Sequence, residues 1–156
     1  MAIVSIIIFI CTGIHISIVD FLTHRIRNSI LIKLAICFLG LALIRLIVDR
    51  NYLESARFRL EIFWMVTIFY LLLAACTGFK IGAGDLKYAL LIAVFLDSTL
   101  PFSTIIEANQ VAIVVTWSMT GGVAIKQLLS SAEPKAIPMA PALFLGALAG
   151  LVSTFH

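Results

Sequence analysis

Two carboxylates stand where an apolar chain has little reason to keep them. Asp20 closes the first long apolar run, and Asp85 follows Gly82-Ala83-Gly84 at the mouth of another. A charged side chain at bilayer depth costs enough free energy that it marks a functional site by default. Two carboxyl groups side by side can hydrolyse an amide. The ionised one takes a proton from water, and the protonated one gives a proton to the carbonyl oxygen. Held close together they cannot both ionise easily, so they share a proton and titrate as a coupled pair. Asp20 and Asp85 each end or begin an apolar stretch on the same side of the membrane, and they meet if spans one and four are neighbours.

The residues around them divide into helpers and bystanders. Gly82 and Gly84 are expected to allow a positive φ and to let a substrate strand or another helix come close. Lys87, two residues past Asp85, either biases ionisation of the pair or anchors its helix at the headgroups, and anchoring is the preferred reading. Asn28, ahead of Ser29 and a long apolar run, is expected to be the N-cap of the second helix, fixing Asp20 to Asn28 as a hairpin. His24 in that hairpin reads as a headgroup contact rather than a catalytic base. Asp49, Glu54 and Glu61 lie among arginines, Asp97 and Glu107 fall on the opposite side, and Glu133 precedes a proline, so all six are expected to be solvated. The competing readings are a loop or N-cap acid paired with Arg25 or Arg27 for Asp20, and for Asp85 a helix-start acid stabilised by the dipole.

The elements that must position these groups follow from composition. With 62% hydrophobic and 12% charged residues and a mean hydropathy of +1.15, the chain has too little polar surface to cover a soluble globule. One crossing takes roughly 20 apolar residues, so the expected architecture is an all-α polytopic membrane protein of about six spans, one of them short, with residues 1–156 as one membrane-embedded domain. The uncharged runs are Met1 to Val19, Leu34 to Ile44, Ile62 to Phe79, Tyr88 to Leu96, Ala108 to Ile125 and Ala136 to His156. Snorkelling by Lys33 and Arg45 extends the second from about Ser29 to Val48. The fourth is the short one and must borrow Leu86 to Leu100 or enter only partway. Gly146 and Gly150 form a Gly-x-x-x-Gly, read as packing inside the bundle, and Pro138 and Pro141 mark the start of the last helix.

Charge and cysteine usage narrow the classes further. Inner loops would hold Arg25, Arg27, Lys33, Lys80, Lys87, Lys126 and Lys135 and outer loops Arg45, Arg50, Arg57 and Arg59, seven against four, which places the N-terminus outside. Asp20 and Asp85 then face the cytoplasm. The first nineteen residues lack Lys and Arg, so the first span is expected to be retained rather than cleaved as a signal peptide. Cys11, Cys37 and Cys76 stand singly and read as buried small hydrophobes. No ligand spacing implies a metal or cofactor, and no basic run implies nucleic acid.

These residues resemble a known family. Gly82-Ala83-Gly84-Asp85-Leu86-Lys87 is similar to the Gly-x-Gly-Asp-x-Lys signature of the type IV prepilin peptidases, membrane aspartic proteases. Asp20 with His24-Arg25-Ile26 and Asn28 resembles the family's first motif, an aspartate followed by basic residues and Ile-Pro-Asn, with Arg27 in place of the proline. Ile137-Pro138-Met139-Ala140-Pro141 resembles the Ile-Pro-rich approach to its last helix. The resemblance implies two catalytic aspartates, Asp20 and Asp85, supported by Gly82, Gly84, Lys87 and Asn28. It also implies an inner-membrane endopeptidase that removes the short basic leader of prepilin-like proteins at the cytoplasmic face. The methyltransferase domain of larger members has no counterpart in this sequence, so peptidase activity alone is expected. The presenilin group shares Gly-x-Gly-Asp, and Pro141-Ala142-Leu143 matches its Pro-Ala-Leu. Its Tyr-Asp is absent, however, because Val19 precedes Asp20. Two further readings use the same residues differently: a small transport or ion-relay protein, and a non-catalytic assembly subunit of a pilus or secretion apparatus.

Overall fold

The computed structural model describes residues 2–49, 52, 54–76, 82–129 and 139–154. Among the described residues run six α-helices and no strand: α1 (Ala2–Thr23), α2 (Asn28–Val48), α3 (Ala56–Cys76), α4 (Ala83–Thr99), α5 (Ile105–Leu129) and α6 (Ala140–Ser153), with one 3-10 turn at Phe102–Thr104. Arg50, Lys80, the Glu133-Pro134-Lys135 turn and Ile137-Pro138 lie outside the described residues. Each apolar run becomes a helix because a helix satisfies its backbone donors and acceptors internally. The helices also reach past the uncharged runs, α1 through Asp20 and α2 through Lys33 and Arg45. The fourth helix takes in both polar flanks and has 17 residues. The shortest is instead α6, with 14 residues and Pro141 in its first turn, where a missing N–H costs little.

Among the described residues two helices, α1 and α2, are long and apolar enough to cross a membrane, and only 22% and 17% of those stretches is buried in the protein. That low burial separates them from the core helices of a soluble domain. Their outward faces carry Ile3, Ile7, Ile18 and Phe21 on α1 and Ile32, Ile36 and Ile47 on α2. A helix apolar all round belongs in an apolar medium. The cysteines follow the same pattern and correct the expectation of burial: Cys11 is exposed and Cys37 half-buried, while the Cys76 side chain lies outside the described residues.

At the centre stands α4, which packs against α1, α2, α3, α5 and α6. Phe95 of α4 stacks on Phe9 of α1 at 4.1 Å and meets Phe38 of α2 at 5.4 Å, and Phe144 of α6 closes on Phe9. Ring pairs of this kind contribute about 0.5–1.5 kcal/mol each beyond the area they bury. Here they also fix the rotation of four helices at once. Packing of α5 on α6 depends on small residues. A methyl at Gly146 would collide with the Ala112 carbonyl and the Thr116 hydroxyl, and one at Gly150 with the Ala108 carbonyl. The Gly-x-x-x-Gly therefore serves an internal contact, letting the two helix backbones come close.

The C-terminal end of α4 corrects the expectation that Asp97 is solvated. Arg59, only 6% exposed, donates to the Asp97 carbonyl at 2.7 Å and to its carboxylate at 3.0 Å. The Tyr52 hydroxyl donates to the other Asp97 oxygen at 2.9 Å. Arg45 donates to the Ser98 carbonyl at 2.6 Å, and both guanidiniums lie over the Tyr52 ring. Two cations thus satisfy orphan carbonyls at the negative end of the helix dipole. Burial, and then the Asp97 charge, push the Tyr52 hydroxyl pKa well above its usual value.

Candidate active site

The two acids arrive from opposite chain directions. On α1 the buried residues are Ser5, Phe9, Gly13, Ile16 and Asp20, a stripe at helical spacing whose last member is the carboxylate. Asp20 is 4% exposed and lies inside the helix, so it is neither a loop acid nor an N-cap. Eleven residues separate it from Phe9, and ten separate Asp85 from Phe95. At 1.5 Å per residue these are rises of about 16 and 15 Å from the same ring stack. Because α1 and α4 run in opposite directions there, the two acids come to one level.

On α4 the local structure is a helix start. Gly82 is the N-cap, and the Asp85 N–H donates to its carbonyl at 3.0 Å. The expected positive φ is not used, since Gly82 sits at φ −62°. Close approach is what the glycines permit. A Cβ on Gly82 would stand 2.8 Å from Asp85 Oδ2, and one on Gly84 would stand 3.2 Å from the Ile26 Cβ and 3.6 Å from its carbonyl oxygen. The group that Gly84 admits is therefore the α1–α2 linker. That linker is shorter than the expected hairpin, residues 24–27. It opens on His24 in the left-handed region at φ 51°, whose N–H donates to the Asp20 carbonyl at 2.8 Å, a helix-ending conformation that usually falls to glycine.

Asp20, His24, Arg25 and Ile26 from one side and Gly82 to Asp85 from the other line a single cavity of about 270 Å³. The Asp20 Oδ2 accepts the backbone N–H of Ala140 at 3.0 Å. Its partner is thus the first turn of α6, where N–H groups are free and the dipole is positive, and not Arg25 or Arg27. Asp85 stands ahead of the uncharged stretch of α4. Burial first, and then the charge of Asp20, push its pKa up from 3.8 to about 7, against the opposing pull of the Gly82 N–H. Its Oδ1 is buried with no hydrogen-bond partner among the described residues.

Asn28 does not cap α2. Arg27 holds the N-cap position with no side-chain cap bond, and the Asn28 Oδ1 instead accepts the Lys87 Nζ at 3.1 Å. Lys87 thereby ties the start of α4 to the start of α2. Two members of the site are not charged side chains: the Ala140 N–H, and Ile26 of the first motif, which shapes the gap beneath Gly84. The first was findable only indirectly, because Pro141 marks a helix start and hence a set of free N–H groups. Among the described residues no group of three or more His, Cys, Asp or Glu stands ready to hold a metal ion. Compared with protein-family models, with curated proteins and with solved structures, the chain matches none, so the functional argument rests on the residues of this cavity.

Proposed function

We propose that this chain is a membrane aspartic endopeptidase that removes the short basic leader from prepilin-like proteins, with Asp20 and Asp85 as its catalytic pair. The supporting observation is that these two carboxyls, 65 positions apart in sequence, line one cavity while one of them holds its proton up to about pH 7. Six helices embed the chain in the cytoplasmic membrane, with α1, α2 and the outward apolar faces in lipid and the cavity on the cytoplasmic side. Asp20, oriented by the Ala140 N–H, takes a proton from water as the oxygen attacks the scissile carbonyl carbon. Asp85 gives its proton to the carbonyl oxygen. Collapse of the tetrahedral diol then breaks the C–N bond, the diol returning a proton to Asp85 while the amine leaves with the one held by Asp20. Lys87, Asn28 and the two glycines hold the start of α4 against the linker, so that the acids keep their spacing.

Coexpression with candidate prepilins tests this, scoring the leader by a gel shift. Wild type should cleave, and Asp20→Asn and Asp85→Asn should each abolish cleavage while the protein still inserts. Retained cleavage in either variant removes the mechanism. An ion relay or a passive assembly subunit would leave every precursor intact with wild type as well.

A further inference from the structure

We propose that the hydroxyls of Ser17 and Tyr88 hold a water molecule beneath Asp85, and that through it Tyr88 is a positioning residue for the acid pair. The catalytic half of this role rests on the peptidase reading above; the water site does not. Five side-chain polar atoms among the described residues are buried without a hydrogen-bond partner, and three of them, Ser17 Oγ, Tyr88 Oη and Asp85 Oδ1, come from the facing helices α1 and α4. The other two, on Thr99 and Trp117, stand apart, at the far end of α4 and on α5. Tyr88 is three residues along α4 from Asp85, toward the ring stack, and its side chain crosses to α1, where a Cβ on Gly13 would stand 3.2 Å from the hydroxyl. Ser17 is one turn past Gly13 on the same face of α1 and three residues short of Asp20. Along the interface the order is therefore Tyr88 hydroxyl, Ser17, acids.

Tyr88 is fully buried, and the Phe144 ring fills the other side of Gly13, so lipid does not reach its hydroxyl. A buried hydroxyl or carboxyl oxygen without a partner is costly, and native proteins avoid it nearly everywhere. Three of them on one interface, none bonded to another, share one remedy: a buried water, which takes about two to four polar partners. The chemistry of these partners suits an acid that changes state. Ionised Asp85 only accepts hydrogen bonds, whereas protonated Asp85 has one to give. Hydroxyls and water both donate and accept, so the same chain reverses its hydrogen bonds as the proton leaves Asp85 and returns. An ammonium in place of the phenol, a donor only, would favour one state. Held at Oδ1, the carboxyl cannot rotate freely, and Oδ2, the oxygen beside Gly82, is left to the cavity.

The test uses the full-length protein in nanodiscs, taken through the Asp85 titration with Asp85→Asn as the reference. Infrared difference spectra in ordinary and heavy-oxygen water should show a water O–H stretch that moves with the isotope, and Tyr88→Phe and Ser17→Ala should each abolish it. The carbonyl stretch of protonated Asp85 should rise in frequency in both variants as its hydrogen bond is lost. Ser118→Ala, which removes an exposed hydroxyl on α5, should leave both bands in place. Absence of the isotope-sensitive stretch in wild type, or its survival in either variant, overturns the water site. Thermal unfolding gives an independent sign. Tyr88→Phe keeps the ring, so it should lower the midpoint by about 2–4 °C if water holds the hydroxyl. Removal of an orphaned hydroxyl would raise the midpoint instead, and that result overturns the site as well. In the cleavage assay each variant should lower kcat about tenfold with KM within about twofold. The double variant should lose no more than the worse single one, since both remove the same water, and losses that multiply overturn the shared role. If wild type cleaves no precursor, the peptidase reading falls with the positioning role, and the spectra still decide the water. If wild type cleaves and both variants match it, the positioning role alone falls.

Discussion

Titration of Asp85 gives the sharpest quantitative test of the site. Its carboxyl moves from 3.8 to about 7, through burial first and the neighbouring Asp20 charge second. A shift of about three units corresponds to about 4 kcal/mol between the two protonation states. Because Asp85 is partly exposed, solvent screening reduces the share felt by folding stability to on the order of 2 kcal/mol. The folded protein binds this proton more tightly than the unfolded chain does. The resulting stabilisation is complete below about pH 4 and is lost as pH rises toward 7. Asp85→Asn should therefore flatten that part of the stability profile. In the proposed mechanism this proton is the one given to the carbonyl oxygen, so cleavage should fall about tenfold between roughly pH 6 and pH 8. Asp20→Asn removes the like charge but leaves burial, the larger cause, so Asp85 should return only part of the way. Infrared difference spectra of the protein in nanodiscs, with Asp85→Asn as the reference, follow the protonated carboxyl directly, and leader cleavage can be read on the same samples. A carboxyl that titrates near pH 4, or cleavage that is flat through about pH 8, refutes the reasoning.

Three further outcomes follow from contacts elsewhere. Gly82→Ala brings a methyl within 2.8 Å of Asp85 Oδ2 and should turn that carboxyl aside, lowering kcat roughly tenfold to a hundredfold; the thermal midpoint in detergent should barely move. Gly150→Leu meets the Ala108 backbone carbonyl, which cannot yield as a side chain can, and should destabilise the bundle by about 2–3 kcal/mol, seen in thermal unfolding. Arg59→Met strips the ion pair from half-buried Asp97 and should cost about 2–4 kcal/mol, with much of that recovered in the double variant carrying Asp97→Asn, as a double-mutant cycle would measure.

Apolar run length made the helices legible in the sequence, because an apolar segment of sufficient length has few alternatives to a helix in lipid. Residue type likewise marked Asp20, Asp85 and the two glycines. What escaped was tertiary. The buried Asp20 carboxylate is met by an N–H 120 positions away, and a backbone donor leaves no trace in residue types. Asn28 has the local preferences of an N-cap, yet its oxygen goes to Lys87, 59 positions on. Asp97 looked solvated because it falls at the opposite side from Asp20 and Asp85, whereas its partner Arg59 comes from another helix. The glycines were marked for the right purpose by half: a residue without Cβ permits both unusual φ and close approach, and only coordinates tell which is used.

The clamps at the two ends of α4 have a consequence for membranes of different thickness. Lys87 grips Asn28 at one end and Arg45 grips the Ser98 carbonyl at the other, so α2 and α4 cannot slide past each other. The uncharged stretch of α4, Tyr88 to Leu96, rises about 14 Å against a hydrocarbon slab of roughly 30 Å. In the proposed six-span arrangement, lipid dimples to meet it. On the proposed peptidase reading, the bond that is cut is gauged by this protein span rather than by the bilayer, and the choice should survive a change of lipid chain length.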